Sequence, residues 1–219
     1  MFADSTNFHR TRSASIPLKV AVTGGAGSGK TSVCNRLKQL GLSVISTDVI
    51  AREVVSPGMP VYEAIVTHFG RQFLSSDGTL DRKRLRHLIT SDKRQKQALD
   101  RLIHPEILRR MRLEIESAVH RGEPMVLVEI PLLFELGLVG EFDFVVMVAA
   151  AHEQKIKRLM ARDQVSRQDA EALLQTQLQD GEKIKQADFV VKNDGSLQGM
   201  ISEVGRLFKV LNKKMKKIP

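Results

Sequence analysis

The chain has 219 residues, 42% of them hydrophobic and 27% charged, and its 34 Lys+Arg against 25 Asp+Glu leave a formal charge of +9. That length suits one α/β domain with a sizeable core, while 15 Gly without a period and a single Cys exclude collagen-like and disulfide-scaffold classes. No apolar run reaches the length that crosses a bilayer, so no membrane partner is expected, and a lone Cys makes the reducing cytoplasm the default location.

Residues 1–16 are polar and Ser/Thr-rich and read as a disordered extension. Order begins with a β-branched run at 18–23 that ends in glycines, followed by a helix over about 30–40. A second strand is expected at 43–47, then helices at about 48–55, 60–69, 81–90 and 92–120, with Pro105 kinking or breaking the last. Strands follow at 125–130 and 142–148, helices at 153–162 and 166–180, a fifth strand at 188–192 and a closing helix at 196–212. Several strands are apolar on consecutive positions, as in a parallel sheet covered on both faces, and their alternation with helices predicts a doubly wound α/β fold.

The uneven spacing suggests how the chain is divided. Its core is about 17–59, 123–152 and 188–208. The basic stretch 60–122 reads as a helical insertion over the C-terminal edge of the sheet, where α/β proteins bind ligands. The segment 153–187 reads as a helical lid. Residues 209–219 read as a solvated basic tail, whose five lysines carry over half of the net charge. Little positive excess remains elsewhere, so no nucleic-acid partner is expected.

Gly24-Gly-Ala-Gly-Ser-Gly-Lys30-Thr31 fits Gly-x-x-x-x-Gly-Lys-[Ser/Thr] directly between a strand and a helix, which is the context a phosphate loop requires. Average composition yields this pattern by chance in roughly 1% of chains of this length. Gly25, Ala26, Gly27, Ser28, Gly29, Lys30, Thr31 and Ser32 are therefore the candidate triphosphate cradle. Backbone N–H groups and a helix N-terminus face the phosphates, Lys30 reaches the β and γ groups, and the Thr31 hydroxyl is the candidate Mg²⁺ ligand. No Asn-Lys-x-Asp guanine reader follows a later strand, since the fifth runs into Lys192-Asn193-Asp194. A small domain with a late basic helical excursion suits a small-molecule kinase, whose lid carries arginines to the phosphoryl group and shuts out water.

Six segments in order resemble the dephospho-CoA kinase family. They are the phosphate loop within 22–31, Asp48-Val-Ile-Ala-Arg52, the His104-Pro105 pair, Ile130-Pro-Leu-Leu-Phe-Glu135, the Arg158/Arg162 helix, and the closing set Gln177, Asp188 and Asn193. The resemblance implies a five-stranded parallel P-loop kinase fold with a helical substrate domain and a helical lid. It also implies transfer of the γ-phosphoryl group of Mg·ATP to the ribose 3′-hydroxyl of dephospho-CoA. A monomer or small homo-oligomer is expected.

In family terms Asp48 is the base, although the first Asp and the Ala of that signature are Ser46 and Thr47 here. Asp48 also suits the N-cap of its helix. Arg158 and Arg162 share one helix face and are expected on ATP, with Arg162 in the catalytic set. Asn193 is expected near the adenine. Arg52, His104, Pro105 and Leu132 are the expected substrate contacts, and Glu129 is expected behind the magnesium. The alternatives are a P-loop kinase of a nucleoside or nucleotide, and a nucleotide-dependent switch protein.

Overall fold

The computed structural model describes residues 17–216; the expected N-terminal extension 1–16 and the last three residues lie outside the described residues. Five parallel strands, β1 (Leu18–Thr23), β2 (Ser43–Ser46), β3 (Met125–Glu129), β4 (Phe144–Ala149) and β5 (Phe189–Lys192), form one sheet in the order β2-β3-β1-β4-β5. The consecutive apolar positions have the expected cause: alternate residues enter different cores. Val20 and Val22 of β1 and Leu127 of β3 pack with α1 (Lys30–Gln39) and α9 (Leu197–Met215). Ala21, Val126 and Val128 face the other way, into a larger cluster.

That second cluster is built largely by the helices between β2 and β3: α2 (Thr47–Glu53), α3 (Pro60–Phe69), α4 (Arg82–Ser91) and α5 (Lys93–His120). The expected insertion therefore shares its apolar core with the sheet. Asp81 and Asp92 start α4 and α5, each carboxylate accepting two backbone N–H bonds of the first turn. The break expected at Pro105 is absent, and α5 runs unbroken for 28 residues. Proline removes the bond to the carbonyl four residues earlier. Both halves are nevertheless held to one cluster, Leu99 and Ile103 before the proline and Ile107 and Met111 after it.

Between β4 and β5 lie α6 (His152–Asp163), α7 (Arg167–Gln175) and α8 (Asp180–Lys185). The helix expected over 166–180 thus ends early, and the chain restarts as α8. The closing helix runs three residues past the expected end at 212. Met200, Val204, Leu207 and Leu211 form a buried stripe that carries α9 on to Met215, and Lys214 Nζ lies 4.4 Å from the centroid of the Phe144 ring. Cys34 is buried in the α1 core, where desolvation raises its thiol pKa well above the ordinary value, as suits an inert packing residue. Among the described residues, no helix is long and apolar enough to cross a membrane.

Candidate active site

The order β2-β3-β1-β4-β5 makes β1 the place where the sheet changes winding direction, and the glycine loop leaves its C-terminal end there. Gly27 has φ +72°, and a Cβ on it would sit 2.6 Å from the Lys155 carbonyl oxygen, so neither its conformation nor its surroundings admit a side chain. Gly29 is left-handed at the N-cap of α1 and closes against the Asn193 carboxamide. Lys30 is 9% exposed, and its ammonium spans the loop, donating to the carbonyls of Gly24 at 2.7 Å and Gly25 at 3.1 Å. Burial lowers its pKa, while the carboxylates of Asp48 and Glu129 oppose that shift. Ser32 stands exposed in the first turn of α1, its N–H bonded to the Gly29 carbonyl.

Strand register sets the oxygen ligands. Glu129 pairs with Val22 on one side and Ser46 on the other, at the same edge as the loop. It is 3% exposed, and its carboxylate accepts hydrogen bonds from Thr31 Oγ1 at 2.8 Å and Ser46 Oγ at 3.0 Å. Ser46, in place of the family's first acid, therefore binds Glu129 instead of adding a charge. Mg²⁺ takes few protein oxygens and completes its shell with phosphates and water. The Thr31 hydroxyl with a carboxylate directly behind it fits that requirement.

Asp48 does not cap its helix. Ser46 occupies the N-cap position, and Asp48 stands exposed in the first turn of α2. It lines a cleft of about 230 Å³, whose walls also include Ile103, Ile107, Leu132 and Leu136. His104 lines the same cleft, its Nε2 3.6 Å from Asp100 Oδ1. Asp48, His104 and Leu132 are thus brought together. Pro105 is exposed on α5, and Arg52 is exposed in the last turn of α2; neither lines the cleft.

The two arginines of α6 differ. Arg158 donates to the carbonyls of Gly27 and Ser28, both at 3.2 Å, and to the Asn193 carbonyl at 2.9 Å. Asn193 is itself buried and donates to the Ser28 carbonyl at 2.8 Å. Together they clamp the phosphate loop to the end of β5. Arg162 is exposed and binds Asp163 through two hydrogen bonds. These bonds, and the charges of Asp163 and Asp48, raise its pKa.

Sequence reasoning missed part of the enclosure as site residues. Gln177 Oε1 accepts the Ala26 N–H at 2.9 Å, and Lys155 Nζ binds Asp180 at 2.9 Å beside Gly25. Lys183 is fully buried, with its ammonium 2.6 Å from Glu135 Oε1. Lys155 had a legible signal, since 155, 158 and 162 form one stripe of a helix. Lys183 had none, because its burial arises from long-range packing of α8.

Residues 18–199 match the family model described as dephospho-CoA kinase. A dephospho-CoA kinase of Escherichia coli is 40% identical over 188 residues, which are 86% of this chain and 90% of that protein. The dephospho-CoA kinase of Halalkalibacterium halodurans is 37% identical over 180 residues, 82% and 90% of the two chains. The solved dephospho-CoA kinase from Campylobacter jejuni is 30% identical with a TM-score of 0.65, covering 90% of this chain and 98% of its own. A shikimate kinase from Bacteroides thetaiotaomicron, 14% identical with a TM-score of 0.50 over 89% and 98% of the chains, shares the fold.

Proposed function

The chain belongs to the dephospho-CoA kinase family, and we propose that Asp48, Lys30 and Arg162 carry out its ATP-dependent phosphorylation of dephospho-CoA. The reaction gives coenzyme A and ADP. The observation that carries the residue assignment is the position of Asp48. It is an exposed carboxylate lining an apolar cleft, within electrostatic range of both the phosphate-loop lysine and the lid arginine.

With dephospho-CoA in the cleft, Asp48 accepts the proton of the ribose 3′-hydroxyl. The oxygen bonds to the γ-phosphorus, the bond to the β,γ-bridging oxygen breaks, and ADP leaves. Lys30 and the loop N–H groups hold the phosphate oxygens in line. Arg162 meets charge that builds on the transferred group. Thr31, aligned by Glu129, would hold Mg²⁺, which would supply neutralisation of the phosphate charge. Arg158 and Asn193 keep the loop in shape, and their distance from the adenine is not needed for that role. The ligands are thus ATP, Mg²⁺ and dephospho-CoA, bound by a cytoplasmic monomer or small homo-oligomer without nucleic acid.

The test is ADP release from Mg·ATP with and without dephospho-CoA, with the product identified by mass. A large acceptor-dependent rate and the gain of one phosphate are expected; no stimulation, from protein that binds ATP, defeats the reading. Nucleoside acceptors are expected to be poor.

Two substitutions examine the supporting residues. Arg162→Ala should lower kcat roughly tenfold, less than the loss of an enclosed donor, because an exposed charge is screened. Its melting temperature should hardly move, and steady-state kinetics beside thermal unfolding check both statements. Glu129→Gln should raise the Mg²⁺ concentration for half-maximal rate by about tenfold or more, because the carboxylate behind a ligand sets that ligand's orientation and basicity. A magnesium titration at fixed ATP reads that shift directly.

A further inference from the structure

The return of the lid to the sheet is fastened at one carboxylate. Lys183 on α8 is fully buried, which is costly for an ammonium without a counter-charge, and Glu135 supplies that charge at 2.6 Å. The contact is a close ion pair whose angles do not make a hydrogen bond among the described residues. Glu135 Oε1 also accepts the Leu178 N–H at 3.3 Å, so residues 178 and 183 are both held by one oxygen. Between and beside them, Asp180 binds Lys155 and Gln177 binds the phosphate loop at Ala26. On its other side, Glu135 immediately precedes Leu136, which lines the acceptor cleft with Leu132.

We infer that Glu135 and Lys183 are positioning residues, a strut through which an occupied acceptor cleft holds the lid's return segment down over the phosphate loop. Acceptor packed against Leu132 and Leu136 fixes the loop that carries Glu135. The carboxylate then seats Lys183 and the Leu178 N–H, and with them Gln177 and Asp180. Coupling of this kind is reciprocal, so acceptor should tighten nucleotide binding and nucleotide should tighten acceptor binding. The lysine also lies close enough to Lys30 for its charge to contribute to the lowered Lys30 pKa, which sets the strut beside the phosphate cradle. The consequence for chemistry is that water is excluded when the true acceptor is present.

The inference rests on the dephospho-CoA kinase reading, so the wild-type protein is assayed first for coenzyme A formation; failure there defeats that reading and not the strut. ADP and coenzyme A are then counted together for Glu135→Gln, Lys183→Met and the apolar pair Glu135→Leu/Lys183→Met. The apolar pair fills the site without leaving a buried charge, so it keeps the question answerable if a single variant fails to fold. Wild type should release about one ADP per coenzyme A. The folded variants should release at least three times as much ADP per coenzyme A, and dephospho-CoA should no longer tighten a non-hydrolysable ATP analogue in calorimetry. The apolar pair should be no worse than the worse of the two single variants. A ratio that stays at the wild-type value in the folded variants, with kcat or melting temperature alone reduced, overturns the inference and leaves the pair a packing contact.

Discussion

Asp48→Asn is expected to lower kcat by at least two orders of magnitude, within the range for loss of a positioned general base, while ATP affinity stays within about twofold. The substitution keeps the shape of the side chain, and it leaves the helix start intact because Ser46, not Asp48, stands at the N-cap. The fold should therefore be unchanged. What is lost is the oxygen that takes the 3′-hydroxyl proton and turns its lone pair toward phosphorus. Because phosphoryl transfer is loose, part of the deficit should come from misorientation of the acceptor. Asn can still hold the hydroxyl, so the KM for dephospho-CoA should move much less than kcat. Single-turnover kinetics with pre-bound ATP isolates the chemical step, and near-normal turnover there would remove Asp48 from the base role.

The parts of this molecule that could be read in sequence are those whose determinants are local. Buried-strand runs such as Met125–Glu129 are visible because both faces of the sheet are covered, and the phosphate loop is visible because its glycines and Lys30 fall within one short window. Pro105 misled because a local rule about proline was outweighed by packing on both sides of it. The end of α9 misled differently: the lysines around it obscured Met215, the apolar position that continues the helical period past 212. In the site, spacing indicated a shared face for Arg158 and Arg162, yet it could not separate a residue bound to loop carbonyls from one paired with its neighbour Asp163. Glu135 and Lys183 are 48 positions apart and meet only when the lid returns across the sheet, so no sequence window contains both. The Glu129 carboxylate lies between these cases. Its strand-end position was legible, but its bonds to the Thr31 and Ser46 hydroxyls were not, and Ser46 was legible only as the loss of an acid.

Lys30→Met should be comparably damaging for a different reason. The ammonium is the point charge within the cradle, and losing one preorganised group of this type costs about 10² to 10³ in kcat. ATP affinity should fall as well, because the lysine meets phosphate oxygens before the transition state as well as in it. The loop itself should persist: its shape also depends on Gly27 and Gly29, on the Arg158 and Asn193 clamp, and on the Gln177 bond to Ala26. Methionine keeps the side chain as far as Cε and gives up the ammonium with its two bonds to the Gly24 and Gly25 carbonyls. A pH series separates the charge from the packing. Burial holds the Lys30 pKa below the ordinary lysine value in the free protein, and phosphate, like Asp48 and Glu129, raises it on binding. The complex thus binds a proton more tightly than the free enzyme, so ATP affinity should decline as pH rises through the depressed pKa of the free protein. In Lys30→Met that alkaline decline should vanish together with most of the affinity. Calorimetric titrations of a non-hydrolysable ATP analogue across the alkaline range measure both, and a decline that survives the substitution would assign the titrating group elsewhere in the cradle.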